Sequence, residues 1–194
     1  NDLDAPIYDM SFSPNGKKLA YVLGEPYGGV FVLNMDSNDA VQVYKADCDQ
    51  YIGVSSITCA GIGEVSWIDN QTLIFAHRFI LPGSYELGGT GDGPSTLDHV
   101  TVMTTNGDSL LSVDSPTIHD DYHAAGGIVF RHFAGESGEV NAWLDGNALL
   151  KGVYEPHLFS ELGIQEPDVL TCSPDGRYLL NHHFVSQGWL HIGT

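Results

Sequence analysis

The sequence predicts an all-β protein built from repeated four-stranded antiparallel sheets. Three observations carry that expectation. Short runs of β-branched and aromatic residues recur along the chain between Gly, Pro, Asn and Asp turn signals. A strand–turn–strand motif stands near the start and returns near the end. The composition, with 23 Gly and 9 Pro against 7 Lys and Arg, is unlike the Ala-, Glu-, Lys- and Leu-rich make-up of a helical bundle.

The first copy of the motif runs from Tyr8 to Val22, with Ser13-Pro14-Asn15-Gly16-Lys17 between two strand-like runs. The second runs from Asp168 to Leu180 and carries Ser173-Pro174-Asp175-Gly176-Arg177. Asn-Gly and Asp-Gly supply the positive φ that tight turns need, and Pro ends a strand where no ladder donor is required. A degenerate copy spans Val65 to Phe75, and a weaker one joins Ile118-His119-Asp120-Asp121 to Gly126–Phe130. Aligning the second strands puts Leu19, Leu73, Ile128 and Leu179 in register, at intervals of 54, 55 and 51 residues. The intervals slightly exceed a usual blade repeat. Insertions account for the excess, one around Cys48–Cys59 and one in the Gly-rich stretch from Pro82 to Asp98.

Each hairpin is followed by two more strand candidates. They are 30–34 and 40–44 in the first unit, 99–103 and 110–113 in the second, and 140–144 and 147–153 in the third. The last unit adds only Gly188 to Ile192. Four strands per unit is the blade of a β-propeller. The chain therefore reads as one propeller segment over residues 1–194, about three and a half blades, with units near 7–45, 63–114 and 115–153 and an incomplete one at 168–194.

The hairpins at 13–17 and 173–177 resemble those of TolB-like, WD-repeat-like β-propellers. They are similar, too, to hairpins in propellers attached to prolyl-oligopeptidase-type serine peptidases. The match departs at Trp67-Ile68-Asp69-Asn70 and in the third unit, which lacks the Pro-Gly turn. The resemblance implies a ring of six or seven blades, the remainder coming from further chain or a partner. A self-closed four-bladed ring would need an edge strand from Asn1–Pro6. Fold likeness is nearly silent on activity, because propellers host unrelated functions.

Charge narrows the function classes. The formal net charge is −18, which opposes nucleic acid, since phosphate binding needs clustered Lys and Arg, and opposes anionic membrane surfaces. No apolar run approaches the length of a membrane-spanning helix. The chain opens in polar residues, so a signal segment is expected to have been removed or to lie outside it. Cys48 and Cys59 share one loop and are expected to form a disulfide, with Cys172 free and buried. That pairing points to an extracytoplasmic location, periplasmic or extracellular.

The nine histidines include three at matching strand positions, His77, His132 and His183, four residues beyond Leu73, Ile128 and Leu179. They are candidate ligands for a divalent metal; half-buried strand-end histidines explain the same placement. His119-Asp120-Asp121-Tyr122-His123 has ligand-type residues but reads as a solvated loop. Gly88–Gly93 lacks the Gly-Lys-Ser/Thr ending of a phosphate loop and reads as a surface insertion. A Gly-x-Ser-x-Gly nucleophile elbow is missing from the sequence, and Gly135-Glu136-Ser137-Gly138 reads as a hairpin turn. Trp189, Leu190 and Ile192 alternate with His191 in a run expected to face a partner or further chain. These features favour a non-catalytic propeller scaffold for protein binding or assembly. The rivals are the propeller domain of a larger prolyl-oligopeptidase-type serine hydrolase, and a metal-binding or redox-accessory propeller using its histidines.

Overall fold

The computed structural model describes residues 5–24, 28–46, 58–80, 96–115, 118–125, 127–135, 138–162, 169–172, 178–183 and 186–191. These residues form four antiparallel sheets, three of four strands and one of three. The first sheet is β1 (Ile7–Phe12), β2 (Lys18–Leu23), β3 (Gly29–Asn34) and β4 (Ala40–Lys45). The second is β5 (Thr58–Trp67), β6 (Thr72–Ile80), β7 (Thr96–Thr104) and β8 (Ser109–Ser115). The third is β9 (Ile118–Ala125), β10 (Ile128–Gly135), β11 (Gly138–Asp145) and β12 (His157–Leu158). The fourth is β13 (Val169–Cys172), β14 (Tyr178–His183) and β15 (Ser186–His191). Every sheet is a simple meander, each strand pairing with its neighbour in sequence.

The first hairpin shows why the Ser-Pro-Asn-Gly turn works. Ser13 N–H donates to the Lys18 carbonyl at 2.9 Å, and Gly16 N–H to the Ser13 carbonyl at 2.8 Å. The buried Ser13 hydroxyl accepts from Lys18 N–H at 3.0 Å and donates to Asn15 Oδ1 at 2.9 Å. Gly16 sits at φ +68°, a left-handed conformation that suits glycine.

The core lies between sheets. Ala20, Val22, Val30 and Val32 of the first sheet pack against Trp67, Leu73, Phe75 and Met103 of the second. Ile74, Ala76, Val100 and Val102, on the other face of the second sheet, pack against Tyr122, Val129 and Leu144 of the third. Successive leading strands β1, β5 and β9 lie side by side, and β13 lies beside β9. Hydrogen bonds tie them together. Trp67 Nε1 donates to the Ser11 carbonyl at 2.8 Å, Val65 N–H to Asp9 Oδ2 at 2.8 Å, and Ala124 N–H to Ser66 Oγ at 2.9 Å.

Three local expectations are corrected. Residues 147–153 are not a strand: a short helix, α1 (Gly146–Leu149), follows β11, and the outer strand is β12. Asp145 caps the helix by accepting from Asn147 N–H at 2.9 Å. A Cβ on Gly146 would stand 2.6 Å from the Gly127 carbonyl oxygen, so the turn has room only for glycine. The segment from His119 to His123 lies within β9, not in a loop. Finally, Val129, and not Ile128, takes the place of Leu73: both are fully buried toward the preceding sheet. Ala125 pairs directly with Ile128 in the third unit, whereas Trp67 pairs with Leu73 in the second, so the register of β10 is shifted by one residue and its faces exchange.

Candidate functional site

The histidines singled out by position lie on the second strands of three different sheets, His77 on β6, His132 on β10 and His183 on β14. His77 is 1 % exposed, with its Nδ1 3.0 Å from the Tyr44 hydroxyl and its ring 4.3 Å from Phe79, centroid to centroid. It fills the seam between the first two sheets. With Val129 in register with Leu73, the position four residues on is Phe133, so His132 is not the counterpart of His77. The side chains of His132 and His183 lie outside the described residues. Among those described, no three His, Cys, Asp or Glu side chains gather as an ion site would require. Cys48, the Cys59 side chain, the Gly88–Gly93 stretch and Ile192 also lie outside the described residues, as do the side chains of Cys172, Trp189 and Leu190. The backbone places Trp189 and Leu190 on β15, paired with Leu180 and Leu179 of β14.

A hydrogen-bonded trio that the sequence did not reveal sits on the outer strands of the second sheet. His99 on β7 has Nδ1 2.7 Å from Asp114 Oδ1 and Nε2 2.5 Å from Ser112 Oγ. Asp114 lies opposite His99 across the β7–β8 ladder, and Ser112 is two residues back on the same strand face. Only strand pairing unites residues thirteen and fifteen positions apart. On the next row inward, Arg78 holds the buried Asp98 carboxylate through Nε at 3.0 Å and Nη2 at 3.3 Å.

The outer face of the first sheet is an apolar surface among the described residues. In β2 and β3 alternate residues point to opposite faces, yet both faces are apolar. One face is the core against the second sheet. The other carries two rows that cross the sheet, Met10–Tyr21–Phe31 and Phe12–Leu19–Leu33. Met10 and Phe12 are 60 % and 58 % exposed, and the other four are half-buried. Tyr21 and Phe31 stack at 5.4 Å with an interplanar angle of 16°. Partial burial against this row pushes the Tyr21 phenol pKa above its ordinary value. No charged side chain interrupts either row, in a chain of net charge −18.

No protein-family model and no curated sequence relative matches the chain. Solved structures do. An acylaminoacyl peptidase in complex with Z-Gly-Gly-Phe-chloromethyl ketone superposes with a TM-score of 0.56 at 15 % identity, over 91 % of this chain and 28 % of its own. The Pyrococcus horikoshii acylaminoacyl peptidase superposes at 0.54, again at 15 % identity and over the same shares. An oligogalacturonate lyase in complex with manganese is more distant, at 0.44 and 12 % identity, over 85 % of this chain and 41 % of its own. The chain thus spans about a quarter of the length of the peptidases it resembles. Those peptidases contain propeller domains, and the likeness extends the propeller type of fold to these stacked antiparallel sheets.

Proposed function

We propose that this chain is a segment of a TolB-like β-propeller that serves as a non-catalytic scaffold for protein binding or assembly, outside the cytoplasm. One observation carries the reading: the first sheet is built to stack on both faces, and its outer face is an uncharged aromatic and aliphatic surface. Such a surface is what a protein partner covers. The Ser13–Gly16 hairpin supports the TolB-like kind of repeat. The strand edge of β15 is a second place for a partner or further chain to pair.

The Ser112–His99–Asp114 trio provides the sharpest test of the non-catalytic part. Its connectivity is that of an activated serine, but the three side chains lie along the flat surface of paired strands, with no nucleophile elbow to present the hydroxyl. A fluorophosphonate probe should leave the purified chain unlabelled. Stoichiometric labelling of Ser112, lost in His99→Ala, would remove the non-catalytic reading.

A second reading is the propeller domain of a larger serine hydrolase of the prolyl-oligopeptidase type. The superposition on acylaminoacyl peptidase over 91 % of this chain favours it. In that case the nucleophile belongs to sequence beyond these residues. Determining the complete coding sequence separates the two: a following domain with a Gly-x-Ser-x-Gly elbow selects the hydrolase.

A further inference from the structure

Two Asn-Gly dipeptides stand in this chain, Asn15-Gly16 between β1 and β2 and Asn106-Gly107 between β7 and β8. A glycine after asparagine has no side chain to screen its amide nitrogen, which can then attack the asparagine Cγ. The two turns are built alike. Each glycine has a left-handed φ, +68° at Gly16 and +90° at Gly107. Each glycine N–H donates to a turn carbonyl, at 2.8 Å to Ser13 and at 3.0 Å to Thr104. Both asparagines are exposed. Exposure and turn geometry do not separate them; their side chains do. Asn15 Oδ1 accepts from the Ser13 hydroxyl at 2.9 Å and from Lys17 N–H at 3.1 Å, and Asn15 N–H donates to Asn70 Oδ1 at 2.9 Å. The Asn106 side chain makes no hydrogen bond among the described residues, and its backbone N–H alone is held, by Thr104 Oγ1 at 3.3 Å.

We propose that Asn106 is a modification site selected by the fold: it converts to aspartate and isoaspartate without an enzyme, while Asn15 persists as asparagine. The Gly107 nitrogen bonds to Asn106 Cγ, the Cγ–Nδ2 bond breaks, and ammonia leaves with the Gly107 amide proton. Water then opens the five-membered imide. Cleavage at Cγ gives aspartate. Cleavage at the main-chain carbonyl gives isoaspartate, whose backbone runs through Cβ and Cγ and is one methylene longer. At Asn15 two side-chain hydrogen bonds must break before Cγ can turn onto Gly16, which slows that site about tenfold or more. The position of Asn106 gives the product a structural consequence. Thr105 N–H donates to the Gln71 carbonyl at 2.8 Å, and its hydroxyl donates to Gln71 Oε1 at 3.1 Å. Lys18 Nζ of the first sheet donates to Thr105 Oγ1 at 3.1 Å and to Gln71 Oε1 at 2.7 Å. A longer backbone at 106 displaces the turn that Thr104 N–H closes on the Asp108 carbonyl at 2.9 Å. Isoaspartate there releases Thr105, and with it the Lys18 link between the first and second sheets.

The native chain incubated in mildly alkaline buffer tests this. Peptide maps follow both sites by the mass gain of deamidation and by methylation with a protein-isoaspartate methyltransferase. Isoaspartate should accumulate at position 106, with Asn15 converting about tenfold or more slowly. The same incubation in urea frees Asn15 and should bring the two rates together. Equal rates in the native chain, faster loss of Asn15, or a ratio that persists in urea overturns selection by the fold. Hydrogen exchange then compares the fresh chain, the fraction carrying isoaspartate at 106, and Asn106→Asp, which adds the charge without the methylene. The Thr105 amide should lose protection in the isoaspartyl fraction and keep it in Asn106→Asp. Unchanged protection in the isoaspartyl fraction, or equal loss in both, overturns the release of the link by the longer backbone. Neither readout depends on what the outer face of the first sheet binds.

Discussion

Phe75 and Tyr21 occupy equivalent places in consecutive sheets, and truncating each to alanine should have unequal consequences. Phe75 is fully buried, with its ring 4.9 Å from Tyr44 and Leu73 and Val65 in the same cluster. Removing it loses the transfer free energy of a whole aromatic side chain and opens a cavity between two sheets that are cross-linked by Trp67 and Asp9 and so cannot close up freely. A buried Phe→Ala change costs about 3–5 kcal/mol. Tyr21 is half-buried and its main contact is the stacked Phe31. Losing an aromatic pair of that kind costs about 0.5–1.5 kcal/mol beyond a modest area term. With a urea m-value of about 2 kcal/mol/M, Phe75→Ala should lower the midpoint by about 2 M and Tyr21→Ala by about 1 M or less. Urea titrations followed by tryptophan fluorescence, with m unchanged between variants, measure both. Against a total stability of about 5–15 kcal/mol, the first change is a large fraction of the whole. Equal costs for the two variants, or a larger cost at Tyr21, would refute the assignment of one face as core and the other as open surface.

Other outcomes follow from the same structure. Arg78→Ala leaves the buried Asp98 carboxylate without its bidentate partner and should destabilise by about 3 kcal/mol, read by chemical denaturation. The raised Tyr21 pKa means that the folded chain holds the phenol proton more tightly than the unfolded one, so stability is unaffected below the ordinary value near pH 10 and falls as pH rises beyond it. Tyr21→Phe should flatten that alkaline slope in thermal melts taken from pH 9 to 11. Tyr44→Phe removes the hydroxyl bonded to His77 Nδ1 and should cost about 1 kcal/mol in the same denaturation assay. For the three cysteines, thiol titration of the unfolded, unreduced chain should find one reactive group, and all three after reduction; three without reductant would remove the Cys48–Cys59 pairing and weaken the extracytoplasmic assignment.

The sequence by itself determined the class of the fold. Alternating apolar runs, Asn-Gly and Asp-Gly turns and the returning Ser-Pro-x-Gly hairpin are local signals, and each acts within a few residues, as the hydrogen bonds of Ser13, Asn15 and Gly16 show. The capping of α1 by Asp145 is an equally local signal. Tertiary structure decided which face each strand turns to which neighbour. In Leu19-Ala20-Tyr21-Val22 both alternating sets are apolar, so hydropathy could not say that Ala20 and Val22 meet the second sheet while Leu19 and Tyr21 stay open. The pairing of Ala125 with Ile128, where the second unit pairs Trp67 with Leu73, exchanged the faces of β10 and separated His132 from the place of His77. The Ser112–His99–Asp114 trio likewise exists only once β7 and β8 are paired. Side-chain direction in a strand has a period of two, so turn length and pairing register fix it, and neither is written in the composition of the strand itself.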